Sequence, residues 1–188
     1  MQVRNTAVRW GTVSKFLHWI IVLLIITQYV LAEVAEDLPL GLQKFETYAR
    51  HKSIGITILG LAVLRLLWRW LNPTPELPGT LKPYERFLAR VTHFGLYVFL
   101  FAQPLTGWIV SNAENFPVSY FGWFTLPDLV APDKEFGDFM EEVHGTIFKC
   151  MLVLATLHIA AALKHHFWLK DDVLKRMLPF GSTRLRSP

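Results

Sequence analysis

The 23 residues from Val91 to Ala113 contain no Asp, Glu, Lys or Arg. About 20 predominantly apolar residues are what an α-helix needs to cross a hydrocarbon core about 30 Å thick. Three further runs have the same character. Phe16 to Ala32 is uncharged between Lys15 and Glu33. The run beginning at His51 is uncharged from Ser53 to Leu64 and reaches Leu71 with Arg65 and Arg69 inside it. Val143 to Leu163 is interrupted only by Lys149. In lipid, backbone donors and acceptors must be satisfied within the segment, so each run is expected to be helical. The expected fold class is therefore all-α, an integral membrane four-helix bundle forming a single membrane domain over residues 1–188. Its spans should lie approximately at 16–33, 52–71, 90–112 and 143–165. Composition agrees, with 52% hydrophobic residues and a mean hydropathy of +0.31. Four spans would use roughly 80 residues, which leaves short loops and no room for a separate soluble catalytic domain.

Arg4, Arg9 and Lys15 ahead of an apolar run, with Val30-Leu31-Ala32 after it, also fit a secretory signal peptide. Against cleavage, the run is longer than the usual hydrophobic region of such a peptide and contains His18, Trp19, Gln28 and Tyr29. Orientation follows from the basic residues. Of 19 Lys and Arg, 14 lie in the N-terminal tail, between Arg65 and Arg90, or after Leu163. The other five are Lys44, Arg50, Lys52, Lys134 and Lys149. Both termini are expected in the cytoplasm, with the chain crossing the membrane several times. Asn72-Pro73-Thr74-Pro75 through Pro83 reads as an irregular inner loop. Membrane lipid is an expected partner and nucleic acid is not.

The single cysteine, Cys150, permits no intrachain disulfide, and no C-x-x-C-H is present for covalent haem attachment. Cysteine clusters for iron–sulfur centres are absent as well. Histidine carries the signal instead. Five of the seven histidines lie inside or at the ends of spans. A lone membrane histidine commonly makes an interhelical hydrogen bond. As a set, ionisable groups at membrane depth point to function. His144 and His158 are 14 residues apart, nearly four whole helical turns, so both face one side of the fourth span at two depths. His51 opens the second span level with His144, and His18 opens the first level with His158. Two pairs are expected, an outer one of His51 and His144 and an inner one of His18 and His158. Each pair comes from two helices, as clamping a porphyrin from both faces requires. Neutral imidazole is a standard axial ligand to haem iron. A zinc site would need three or four ligands in one small sphere. The expected cofactors are two b-type haems per chain, held without a covalent bond.

Small residues near these histidines (Gly55, Gly95, Gly145 and Ala160 to Ala162) would let a helix approach a flat ring, although they also serve ordinary helix contacts. Arg65 and Arg69 follow His51 by 14 and 18 residues, near its face and at inner depth. Haem propionates would make good partners for them; snorkelling to lipid phosphate is the other reading. His93 opens the third span on the inner side, as a contact to a propionate or quinone or as a competing ligand. His165 and His166 end the fourth span among basic residues, where interfacial solvation competes with a quinone or propionate role. No residue has an identifiable catalytic role.

At these residues the chain resembles the bacterial cytochrome b561 family of membrane di-haem cytochromes. The matching stretches are Leu17-His18-Trp19, His51-Lys52-Ser53-Ile54-Gly55-Ile56 and the Arg65/Arg69 pair followed by Pro73. His93 ten residues before Gln103-Pro104, Phe121-Gly122-Trp123, Glu142-Val143-His144 and His158 through Lys164-His165-His166 also match. Lys170-Asp171-Asp172 and Lys175-Arg176-Met177 fit the family's tail. The resemblance runs from about residue 4 to 179. It implies His18 with His158 on one haem iron and His51 with His144 on the other. Some members resemble superoxide oxidases that pass the electron to ubiquinone.

Two histidines per iron leave no open coordination position, so electron transfer is the expected chemistry. The leading expectation is an oxidoreductase joining a periplasmic donor, superoxide among the candidates, to ubiquinone. The segment from Ser111 to Val143 carries seven acidic residues against Lys134 alone. Such a surface repels an anion and suits a basic periplasmic redox protein instead. An electron-transfer subunit serving a partner enzyme is therefore the first alternative, and a haem-free membrane scaffold the second.

Overall fold

A computed structural model of the chain describes residues 2–77, 79 and 81–179. Arg184 and Arg186, part of the basic bias used for orientation, lie outside the described residues, as do positions 78 and 80 of the proline-rich linker. The architecture is all-α. Helices α1 (Thr12–Asp37), α2 (Leu42–Trp70), α3 (Pro83–Ala113) and α4 (Lys134–Phe167) are followed by the short α5 (Val173–Met177). All four long helices have the length and hydropathy of membrane spans. They contain the apolar runs and continue past them, because charged residues at helix ends sit at headgroup level without stopping the helix.

Lipid explains the surface. On α1, Phe16, Leu23, Ile26, Val30 and Val34 are 45–64% exposed and recur at helical spacing. Leu152, Val153, Leu157, Ile159 and Leu163 do the same on α4. Apolar faces this continuous, on helices of spanning length, suit a hydrocarbon solvent.

The chain divides into two compact units, each drawing on all four long helices. The first takes its described residues from Met1–Trp19, Leu64–Leu96 and Met151–Pro188. Its N-terminal segment is closed by Asn5, whose side-chain oxygen accepts hydrogen bonds from Gly11 N (2.9 Å) and Ser14 Oγ (2.7 Å). Gly11 is required there, since a Cβ would fall 2.2 Å from the Val3 carbonyl oxygen. Trp19 Nε1 donates to the Met177 carbonyl at 2.9 Å, tying α1 to α5.

The second unit comprises Ile20–Val63 and Tyr97–Cys150. Its core is Ile21, Ile58, Ala62 and Leu100. On α2 the buried residues Thr47, Gly55, Ile58 and Ala62 follow the helical repeat, and His51 falls on that same stripe. Helix α3 ends in a Schellman motif, with Asn115 left-handed (φ 59°), Phe116 N bonded to Ser111 O and Asn115 N to Asn112 O. Helix α4 is capped by Asp133, whose carboxylate accepts from Phe136 N at 3.1 Å. Between these ends a hairpin pairs Ser119 with Thr125 and Tyr120 with Phe124. It is pinned to α2: Ser53 Oγ accepts from Phe121 N at 3.0 Å and lies 3.1 Å from the Ser119 carbonyl, and Thr57 Oγ1 meets Tyr120 Oη at 3.1 Å.

Candidate haem sites

Each unit contains one pair of facing histidines. In the second unit, His51 of α2 and His144 of α4 have ring centroids 6.5 Å apart at 71°. In the first, His18 of α1 and His158 of α4 stand 6.4 Å apart at 79°. Two imidazoles bound on opposite sides of one metal, with bonds of about 2.0–2.1 Å, place their centroids roughly 6 Å apart. Both pairs have that separation. His93 of α3 is also close to His158, but at 5.3 Å, which is short for two rings with an iron between them. Among the described residues, no three His, Cys, Asp or Glu side chains converge on a point that could hold a bare metal ion.

Hydrogen bonding fixes the His144 tautomer. Thr106 Oγ1 lies 2.9 Å from the Ala102 carbonyl and 3.0 Å from that of Gln103. Carbonyl oxygens only accept, so the hydroxyl hydrogen is directed there and Oγ1 faces His144 Nδ1, at 3.0 Å, as an acceptor. The proton therefore sits on Nδ1 and the lone pair on Nε2, the arrangement an axial ligand needs. That lone pair meets the Gln103 side-chain nitrogen at 3.1 Å, while Gln103 Oε1 is buried without a hydrogen-bond partner. The ring rests on the open face of Gly107, where a Cβ would lie 3.0 Å from His144 Cε1. On α2, Gln28 Nε2 donates to the His51 carbonyl at 2.9 Å. Gly55, one turn on, leaves it room: a Cβ there would come within 3.1 Å of Gln28 Nε2. His51 Nδ1 and His18 Nδ1 are buried without hydrogen-bond partners. Polar atoms orphaned beside facing rings fit a site that an additional group completes.

The structure brings the arginines to the first unit's histidines. Arg65 acts electrostatically on His18, His93 and His158, and Arg69 on His93. Gly95 packs onto Leu154, while Gly145 has open space where a Cβ would be. Of these three glycines, Gly55 is the one that backs onto a polar group, Gln28 Nε2. His165 leaves the ring sites and pairs with Asp171, Nδ1 to Oδ2 at 2.5 Å. His166 stacks edge-on against Phe167.

The sequence alone gave Gln28, Gln103, Thr106 and Gly107 no role at these sites. Their signal was available: each is a polar or side-chain-free position within an apolar run, where an unpaired polar group is costly. Lys52 and Arg50, beside His51, each have a contact of their own. Lys52 Nζ lies over the Phe116 ring at 5.4 Å, and Arg50 pairs with Glu46 at 3.4 Å.

The sequence profile of the family described as prokaryotic cytochrome b561 matches residues 9–180. The chain is 36% identical to cytochrome b561 homolog 2 of Escherichia coli K12 over 184 residues, covering 97% of this chain and 98% of that protein. It is 29% identical to the Yersinia pestis protein named "Probable superoxide oxidase CybB", over 87% of this chain and 92% of the relative. Identity to cytochrome b561 homolog 1 of E. coli K12 is 27%, over 91% and 97%.

Proposed function

Since the chain belongs to the prokaryotic cytochrome b561 family, we propose that it holds two non-covalent b-type haems, one between His18 and His158 and one between His51 and His144. Membership itself makes it a bacterial membrane protein that binds b-type haem and takes part in electron transfer. The finer reading is an oxidoreductase that carries single electrons between a periplasmic donor and ubiquinone, with superoxide as the donor. One observation carries the ligand assignment: two pairs of facing histidines with ring centroids 6.4 and 6.5 Å apart, a separation that would admit one metal between the two rings.

Haem held by these histidines would supply one-electron exchange. The rest falls to the chain. Thr106 holds the His144 proton on Nδ1 and so presents Nε2. Arg65 places positive charge at the His18–His158 pair and Arg69 at the neighbouring His93, suited to carboxylates such as propionates. The long apolar helices keep bulk water from both pairs and leave a lipid-soluble quinone free to approach from the bilayer. The basic bias of the tails supports cytoplasmic termini in the inner membrane, with the hairpin in the periplasm.

The name of the Yersinia pestis relative supports superoxide as donor. One feature favours the alternative of a docked redox protein. The hairpin, clamped on Ser53 and Thr57 just beyond His51, exposes Phe121, Trp123 and Phe124 at 48%, 80% and 56% within an acidic segment. Aromatic anchors with a charged rim suit a basic protein partner.

A pyridine haemochrome assay on purified protein tests the ligand set. Two haems per chain are expected, with one lost in His18→Ala and in His158→Ala and the other in His51→Ala and in His144→Ala. His93→Ala should keep both. If His93→Ala loses a whole haem while His18→Ala loses none, the pairing in the first unit is wrong. Reduction of ubiquinone by superoxide through the isolated protein separates an oxidoreductase from a relay subunit, and a colourless protein would mean a scaffold.

A further inference from the structure

We propose that the cavity between the end of α2, the 74–77 segment and α3 binds the phosphate of an anionic phospholipid. The proposal rests on the membrane location of the chain and not on its redox reading. The cavity has a volume of about 340 Å³ and is lined by Arg69, Arg86, Arg90 and His93, with Glu76 as the one acidic residue. Arg86, Arg90 and His93 are spaced i, i+4, i+7 and so form one stripe on α3. The neighbouring stripe is Phe87, Val91 and Phe94, exposed at 65%, 48% and 71%. Helix α3 thus carries a cationic row directly beside a bare apolar row.

The depth suits a headgroup. The cavity lies where α2 finishes, at Trp70 (73% exposed), and in the first turns of α3. An exposed tryptophan at the end of a span marks the lipid–water interface. Basic pockets between spans at this level take acidic lipid headgroups. Guanidinium forks match phosphate oxygens in pairs, and the apolar row offers acyl chains a surface immediately alongside.

The site is also built before any ligand arrives. Pro75 is buried. Glu76 N donates to the Ala7 carbonyl at 2.8 Å, and the Glu76 carbonyl accepts from Arg176 Nη1 at 3.1 Å. Arg86 Nη2 donates to the Gly79 carbonyl at 3.1 Å while its Nε is buried without a partner. A neutral quinone ring offers little to match three guanidinium groups; an oxyanion does.

Native mass spectrometry of the full purified chain, exchanged into detergent with equal phosphatidylglycerol and phosphatidylcholine, tests this. Preferential retention of phosphatidylglycerol is expected. In Arg86→Gln/Arg90→Gln its affinity should fall roughly thirtyfold, from two charges removed at the headgroup level, with the visible spectrum unchanged. Equal retention of the two lipids, or undiminished retention in the double variant, overturns the proposal. Loss of haem absorbance in that variant would place a propionate in the cavity and overturn it too. Displacement of the lipid by excess inorganic phosphate would assign the site to the free anion. If the double variant does not fold, Arg86→Lys keeps the charge and removes the fork; it should weaken retention, and no change would overturn the proposal.

Discussion

Thr106 Oγ1 lies 3.0 Å from His144 Nδ1 while directing its own hydrogen to the carbonyls one turn back on α3. A helix-stabilising contact thus also sets the protonation pattern of a proposed haem ligand. Removing the hydroxyl while keeping the shape isolates the second role. Thr106→Val should weaken haem retention at the His51–His144 site about tenfold or more, the usual effect of losing the group that orients a metal-bound histidine. Thr106→Ser should restore it. Transfer of haem to an apoprotein acceptor measures this, and a Val variant that retains haem like the parent would remove Thr106 from the site.

Gly107 and Gly145 make opposite predictions despite both lying near His144. A Cβ on Gly107 falls 3.0 Å from His144 Cε1 and 3.4 Å from Nδ1, so the ring must give way. Gly107→Ala should therefore broaden or shift the absorbance of one haem and lower its occupancy, leaving the other intact. Gly145→Ala meets open space and gains helix propensity of about 0.8–1 kcal/mol, so it should be neutral or stabilising. Low-temperature spectra of the two variants, with thermal inactivation in detergent, provide the comparison. Equal damage from both would mean that the His144 ring does not rest on Gly107.

Charge around the hairpin distinguishes the donors. Asp138 is already paired with Lys134 at 2.8 Å and Asp128 with Asn112 at 2.8 Å, so Glu141 and Glu142 are the cleaner pair to neutralise. Exposed charges act over about 8 Å at physiological salt, so the effect should lie in approach rate and grow as salt falls. With superoxide as donor, Glu141→Gln/Glu142→Gln should speed haem reduction about twofold at low ionic strength. With a basic protein as donor, the same change should slow reduction and flatten its salt dependence. Stopped-flow reduction across a salt series reads both, and no effect at any salt would remove this segment from donor selection.

What the amino-acid sequence determined by itself is local or periodic. Four long apolar runs dictate four spanning helices, because lipid leaves a backbone no other way to satisfy its hydrogen bonds. The 14-residue interval from His144 to His158 places both on one face of α4, because 3.6 residues make a turn whatever the surroundings. The motifs around these histidines identified the family, which the match over residues 9–180 bears out. Tertiary structure decided what lies across helices. It set His93 at 5.3 Å from His158 and His18 at 6.4 Å, a difference no depth argument resolves, since both histidines open their spans at one level. It also joined Thr106 to His144 across 38 positions and Ser53 to the hairpin across 66. It turned Lys52 onto Phe116 and gathered Arg86, Arg90 and His93 opposite the 74–77 segment. Helical periodicity specifies which side of a helix a residue occupies; only packing of one helix against another, set by side-chain shape at the contact, specifies what that side meets.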